Sequence, residues 1–125
     1  MELNHDKVRL LMLAMEKSQD VHGMDEAAAS AFGEKNGLSR DQLAYMVACL
    51  NEGGLISGKV TWGNNQPMWI YPGNLTFKGQ EYLDNIRDPE IWKQTKSIAS
   101  KAGSVSLDLM SSIAAKVITK TLGLE

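Results

Sequence analysis

The sequence has little of several features, and each shortage excludes a class of protein. It holds one cysteine, Cys49, which cannot form an internal disulfide and is typical of a reducing compartment. No apolar run approaches the length of a membrane-spanning helix, and the first residues carry no basic signal region. We therefore expect a cytoplasmic protein without a membrane partner.

Residues suited to catalysis are also scarce. The two histidines, His5 and His22, match no metal-ligand spacing with the nearby aspartates. Cys49 lacks a recognisable partner base, so a packed thiol is favoured over a nucleophile. Gly53-Gly54 is not followed by the Lys-Ser/Thr of a phosphate-binding loop. We expect no enzyme activity, no cofactor, no metal and no small-molecule substrate.

The charge distribution disfavours a nucleic-acid partner. The 125 residues carry a formal net charge of −2. Residues 1–89 hold eight Lys/Arg against twelve Asp/Glu, whereas residues 90–125 hold five Lys against three acids. Non-specific DNA affinity comes mainly from cations that neutralise phosphates, so the acidic part of the chain is expected to repel DNA.

The stretch from Ser39 to Tyr71 predicts a helix, a glycine stop and an apolar hairpin. Ser39 followed by Gln42 forms a capping box, and Gly53-Gly54 ends the helix. A third helix followed by such a hairpin is the pattern of a winged helix-turn-helix, so we expect a mainly α fold with a small β-hairpin. The core face of this helix has apolar residues at i, i+3, i+4 and i+7: Leu43, Met46, Val47 and Leu50.

Further helices are predicted on both sides of this stretch from apolar periodicity and capping residues. The predicted bounds are Asn4–Asp6 to Lys17, Glu26 to Lys35 after an Asp25 cap, Thr76 to Arg87, Asp88 to Gly103, and Ser104 or Ser106 to Leu122. We expect residues 1–87 to form the winged-helix domain and residues 88–125 a C-terminal helical extension that serves packing or oligomerisation.

The hairpin pattern predicts one aromatic face. A two-residue Asn64-Asn65 turn and a four-residue loop over residues 63–66 give the same register, with Trp62 opposite Pro67 and Val60 opposite Trp69. Alternation with one apolar face usually means burial, so we expect this face to cover the helical core, the alternative being exposure. The face so predicted consists of Ile56, Val60, Trp62, Trp69 and Tyr71.

The last helix has an unusually wide apolar surface. Such a face suggests either self-association through this helix, as a homodimer, or packing that completes the core of the chain. The candidate interface residues are Leu107, Met110, Ile113, Val117 and Ile118.

A signature near the C-terminus carries a resemblance to a known family. It reads Leu75-Thr76-x-x-Gly79-x-x-Tyr82-Leu83-Asp84-x-Ile86-Arg87-Asp88, followed by Ile91-Trp92 and Thr95-Lys96. In these residues the chain resembles a family of short uncharacterised bacterial proteins, frequently encoded by phages and prophages and treated as winged-helix domains of unknown function. The resemblance implies a winged-helix fold and a phage or prophage origin in a bacterial host, and no activity. Gly79 is expected to allow its helix to approach the hairpin or helix 1 closely.

Two functions follow as hypotheses. The first is a protein-interaction module that binds a host or phage protein. The alternative is a DNA-binding regulator that works as a dimer on duplex DNA, with the third helix in the major groove and the hairpin on the backbone. The residues that would contact DNA are Ser39, Arg40, Tyr45, Asn51, Lys59, Asn64 and Asn65. Because Asp41 and Glu52 share the outward face of that helix, we favour the protein partner.

Overall fold

The computed structural model describes residues 1–124 and is mainly helical with one small β-hairpin, as the sequence predicts. Six α-helices, two strands and one 3₁₀ turn are present in the described residues. In chain order they are α1 (His5–Lys17), α2 (Glu26–Lys35), α3 (Arg40–Glu52), β1 (Lys59–Gly63), β2 (Gln66–Tyr71), α4 (Phe77–Ile86), α5 (Pro89–Ala99), the 3₁₀ turn Ser100–Ala102, and α6 (Leu107–Thr121).

Capping residues account for where the helices begin. The Asn4 side chain accepts from the Lys7 N–H at the start of α1, and Asp25 does the same for Ala28 in α2. At α3 the capping box between Ser39 and Gln42 is complete in both directions. Of the two serines considered for the last helix, Ser106 is the cap, because its hydroxyl accepts from the Leu109 N–H.

The hairpin has the shorter of the two predicted turns. Asn64 and Asn65 have φ of 51° and 61°, both in the left-handed region that a type I′ turn requires. Trp62 lies opposite Pro67, as expected. The next pair is Thr61 with Trp69, and the expected pairing of Val60 with Trp69 is wrong. A β-bulge inserts Met68 as one extra residue in β2 and shifts the register beyond it.

The bulge also overturns the expected burial of the aromatic face. Val60 now pairs with Ile70, and Ile70 is completely buried. Trp69 and Tyr71 consequently lie on the opposite face of the hairpin, where Trp69 is 61% exposed. A shift of one residue exchanges the two faces of a strand, so the core under β2 is aliphatic instead of aromatic.

The helical core of the N-terminal part matches the apolar stripes of the sequence. Helix α3 packs against α2 and both strands. The side chains that form this core are buried in every case: Val8, Leu11, Met12 and Met15 from α1, Ala29 and Phe32 from α2, Leu43, Met46, Val47 and Leu50 from α3, and Ile70 from β2.

The chain divides into two compact units, one from Met1 to Gln80 and the other from Glu81 onward. The division falls inside α4, a few residues before the joint between α4 and α5 at Arg87-Asp88 that the sequence suggested as a boundary. In the second unit α5 and α6 pack together. None of the helices described in residues 1–124 is long and apolar enough to cross a membrane.

Tyr82, on α4, has a hydroxyl group that is buried without a hydrogen-bond partner among the described residues. Burial raises the pKa of this phenol above its ordinary value, so the group stays neutral. We expect Tyr82→Phe to raise the free energy of unfolding by about 1 kcal/mol, because it removes an unsatisfied polar group without creating a large cavity. Urea denaturation measures the change.

Tyr71→Phe is the matched control, because the Tyr71 hydroxyl donates to the His22 carbonyl at 2.9 Å. Losing this hydrogen bond is expected to lower the free energy of unfolding by about 1 kcal/mol, whereas Tyr82→Phe is expected to raise it. A destabilised Tyr82→Phe protein would contradict the absence of a partner for that hydroxyl.

Candidate functional site

The outward face of the hairpin carries three large, exposed side chains, which we call the hairpin patch: Met68, Trp69 and Tyr71. Met68 and Trp69 are 53% and 61% exposed, and Tyr71 is 38% exposed. The strands that hold them contribute one cation, Lys59, and no acidic residue. The surface is therefore apolar, aromatic and almost uncharged.

Local geometry fixes the patch in place. Met68 lies across Gly63, where an added Cβ would come within 2.6 Å of the Met68 Cγ. Tyr71 is held by its hydrogen bond to the His22 carbonyl, and the Asn74 side-chain amide donates to the Val21 carbonyl at 2.9 Å. These bonds bring the loop between α1 and α2, with Val21 83% exposed, beside the end of β2.

Arg40 and Glu26 hold the outer edge of β2. The Arg40 guanidinium donates to the carbonyls of Pro67 at 3.2 Å and Met68 at 3.1 Å, and it forms an ion pair with Glu26. The second carboxylate oxygen of Glu26 accepts from the Ile70 N–H at 3.1 Å. The two side chains thus satisfy backbone groups that no strand pairs with, and they tie α2 and α3 to the hairpin.

Several of the residues predicted to contact DNA have partners inside the protein. Arg40 is committed to Glu26 and β2, and the Asn51 amide donates to the Gly58 carbonyl at 2.6 Å. The Ser39 hydroxyl accepts from the Gln42 N–H in the capping box. Lys59 lies opposite Tyr71 at the base of the hairpin.

Tyr45 is half-buried on α3. A hydrogen bond with the Cys49 side chain, together with the nearby negative charge of Glu52, raises the pKa of Tyr45. Its phenol is therefore a neutral group at physiological pH. Asn64 and Asn65 are exposed in the turn at the tip of the hairpin. Helix α3 also exposes two acidic residues to solvent, Asp41 and Glu52.

The predicted interface on α6 is partly used inside the chain. Met110 and Val117 are 1% and 6% exposed, so they contribute to the core of the C-terminal unit. Leu107, Ile113 and Ile118 are half-buried and keep some surface. An interface through this helix would depend on those three residues, and the prediction of a dimer there rests on a narrower surface than the sequence indicated.

Neither a metal site nor a catalytic cavity is evident in the described residues. Within residues 1–124, no three His, Cys, Asp or Glu side chains are grouped closely enough to hold a metal ion. An open cavity of about 330 Å³ lies beside the end of α1, lined by residues that include Ala14, Lys17, Asp20, Met24 and Asp25. Its lining has neither a histidine nor a thiol, and Asp25 is already the cap of α2.

Two features of this site, the role of Glu26 and the exposure of Trp69, were not predicted from the sequence. Glu26 has no local signal for its role, because its partners lie 14 and 44 residues away along the chain. The exposure of Trp69 follows from the bulge at Met68, which alternation alone does not reveal. Both depend on contacts distant in sequence.

Comparison with known proteins places the chain in a family. The model of a family described as "Hypothetical protein (DUF2513)" matches residues 2–106. An uncharacterized protein of Haemophilus influenzae is 28% identical over 123 residues, which cover 98% of this chain and 99% of that protein. No solved structure matches. With the match spanning α1 through α5 and the hairpin, the chain belongs to the DUF2513 family of hypothetical proteins.

Proposed function

We propose that the protein is non-enzymatic and acts by binding another protein through the hairpin patch. The observation that carries this proposal is the exposure of Met68, Trp69 and Tyr71 together on one face of the hairpin. Soluble proteins seldom leave such side chains in contact with water unless the surface has a partner. Tryptophan, tyrosine and methionine are also among the residue types enriched where proteins bind one another.

The energetics agree with a protein partner. Covering a large apolar side chain contributes about 1.5–3 kcal/mol, so the three residues of the patch could provide the centre of an interface. Their geometry is fixed before binding, because Met68 lies on Gly63 and Tyr71 is hydrogen-bonded to the His22 carbonyl. Little conformational entropy would then be lost on association.

The alternative, a DNA-binding regulator, has weaker support. A reading helix needs free donors and cations, whereas Arg40 and Asn51 are engaged with β2 and Gly58. The exposed carboxylates of Asp41 and Glu52 would face phosphates. These observations favour a protein over duplex DNA as the partner.

The proposal also includes the fold family and the biological origin of the protein. The order of three helices, a two-stranded hairpin and further helices supports the interpretation as a winged-helix domain followed by a C-terminal helical extension. The resemblance in the signature from Leu75 to Lys96 supports a phage or prophage origin in a bacterial host, and we propose that the protein acts in the cytoplasm of that host. We propose that the winged-helix frame here presents the hairpin as a protein-binding surface.

The function is tested by capture from bacterial lysate with the wild-type protein and Trp69→Ser. We expect wild type to enrich a specific partner and Trp69→Ser to lose at least tenfold of that enrichment, since about 1.4 kcal/mol or more of apolar burial disappears. Leu109→Ser is the matched control, because Leu109 is also an exposed apolar residue, at 46%, but lies on α6. It should capture as well as wild type.

Two results would refute the proposal. One is equal capture by wild type and Trp69→Ser. The other is a gel shift of random duplex DNA by micromolar protein at low salt that Trp69→Ser leaves unchanged, with no protein enriched, which would favour the DNA-binding alternative.

A further inference from the structure

Strand β1 is an edge strand whose outer side is unpaired. In the part of the chain that the structure describes the sheet contains two strands, so β1 has a neighbour there on one side only. The outer side of β2, by contrast, is covered by Glu26 and Arg40, and Gly73 beyond its end bridges to Met24. The hairpin therefore has one closed edge and one open edge.

The hydrogen-bond pattern identifies which backbone groups the open edge presents. The Ile70 N–H points away from β1, because it donates to Glu26. In a non-hydrogen-bonded antiparallel pair, the backbone N–H and C=O groups of both residues point away from the partner strand. Val60 is paired with Ile70, so its N–H and C=O point toward the open edge. The same holds for Trp62, whose partner Pro67 directs its carbonyl to Arg40.

Within residues 1–124 these outward groups have no hydrogen-bond partner. Among the described residues, no backbone or side-chain group forms a hydrogen bond with the outer side of Val60 or Trp62. The side chain of Trp62 is 56% exposed at the same place. An edge of this kind is a ready template for another strand.

We propose that the open edge of β1 pairs with β1 of a second copy of the chain, antiparallel and centred on Thr61. In that register Val60 of each copy lies opposite Trp62 of the other, and Thr61 faces Thr61 across a two-fold axis. Since Val60 and Trp62 are the residues whose backbone groups point outward, each of these pairs exchanges both of its hydrogen bonds. The result is a continuous four-stranded sheet.

The side chains favour this partner. Val60 opposite Trp62 is a β-branched residue against an aromatic one, and threonine opposite threonine is also a favourable cross-strand pair. Lys59 falls opposite Gly63, so no like charges meet although the same strand is used twice. Strand β1 contains no acidic residue that could oppose the lysine. The strand is thus complementary to itself in hydrogen bonding and packing, and the pairing brings no like charges together.

The dimer would enlarge the aromatic surface that the hairpin exposes to a partner protein. Val60 and Trp62 occupy one face of the joined sheet, and Thr61 and Trp69 occupy the opposite face. The hairpin patches of both copies would therefore lie on the same side, as one wider aromatic surface. The pairing itself is independent of the proposed partner and is measured without one.

The test places opposite charges at the two-fold axis of purified protein. Thr61 is exposed, so Thr61→Lys and Thr61→Glu should each fold normally. Light scattering after size-exclusion chromatography is expected to give the dimer mass for wild type. Each variant alone should show a dissociation constant raised about tenfold or more, because like charges then face each other directly. An equimolar mixture of the two variants should regain the dimer, and Gln66→Lys, a charge added outside the pairing register, should behave as wild type.

A second variant reports the position of the contact. Cys49→Ser combined with Thr61→Cys should form an intermolecular disulfide under mild oxidation, since opposed Cα atoms in a non-hydrogen-bonded pair are about 4.5 Å apart. A wild-type monomer at high micromolar concentration would overturn the proposal. So would dimers of Thr61→Lys and Thr61→Glu as tight as wild type, or a failure of the cysteine variant to cross-link. None of these results bears on Trp69 and the proposed function.

Discussion

Replacing Gly79 with alanine is expected to lower the free energy of unfolding by about 3 kcal/mol, the upper end of the usual cost of overpacking. A Cβ atom at this position would lie 2.0 Å from the carbonyl oxygen of Leu55 and 2.9 Å from its carbonyl carbon. Both are backbone atoms, so no flexible side chain can move aside. Thermal or urea unfolding measures the loss, which corresponds to a decrease in Tm of roughly 10 °C.

The surroundings of Gly79 prevent easy relaxation. Leu55 is 3% exposed, and its carbonyl accepts from the Thr76 N–H at 3.0 Å. The Thr76 hydroxyl in turn accepts from the Gly79 N–H at 3.0 Å and donates to the Gly54 carbonyl. Moving α4 away from Leu55 would break these bonds together. The glycine is therefore needed for the start of α4 to meet the entry to the hairpin.

Gly53→Ala is the matched control for this prediction. Gly53 has φ of −76° and ψ of −4°, a conformation open to alanine, and the nearest atom to an added Cβ is at 3.4 Å. We expect its stability to change by less than about 0.5 kcal/mol. If Gly79→Ala were as stable as Gly53→Ala, the close approach of α4 to Leu55 would be wrong.

Local signals predicted much of the fold. The caps at Asp25, Ser39 and Asp88 each act within three residues along the chain, so a single sequence reveals them. The apolar stripes likewise identified the buried faces of the helices. The Asn64-Asn65 turn belongs to the same class, because the preference of asparagine for positive φ is a local property.

The candidate site was harder to predict because it depends on one inserted residue. Strict alternation places Trp69 on the face of Trp62, but the bulge at Met68 moves Trp69 to the face of Thr61. The hydrophobic pattern contains apolar residues at both positions and cannot distinguish the two registers. What decides between them is that aliphatic Ile70 is buried beneath the hairpin and Trp69 is left outside.

The role of Arg40 was also not predictable from local sequence. On the sequence it is a cation at the start of a helix that could read DNA. In the fold its guanidinium bonds the carbonyls of Pro67 and Met68 and pairs with Glu26. Those partners are 14 to 28 residues away, and no local pattern points to them.

Glu26→Ala is expected to destabilise the protein by about 3 kcal/mol, because the Glu26 carboxylate pairs with the Arg40 guanidinium and also accepts a hydrogen bond from a buried backbone N–H. Its carboxylate accepts from the Ile70 N–H, and Ile70 is completely buried. Leaving that donor without an acceptor costs about 1–3 kcal/mol, and the lost ion pair with Arg40 adds at most about 1 kcal/mol, since the arginine side chain is 42% exposed. Denaturant unfolding measures the sum.

Two companion variants separate these contributions. Glu26→Gln keeps an oxygen that can accept from Ile70 and loses only the charge, so it should cost about 1 kcal/mol. Glu34→Ala removes an exposed carboxylate from the last turn of the same helix, where a negative charge is unfavourable, and should be neutral within about 0.5 kcal/mol. A Glu26→Ala protein as stable as Glu34→Ala would mean that the hairpin does not depend on this carboxylate. The edge of β2 would then be open like that of β1, and the pairing of two copies would no longer be directed to one side of the sheet.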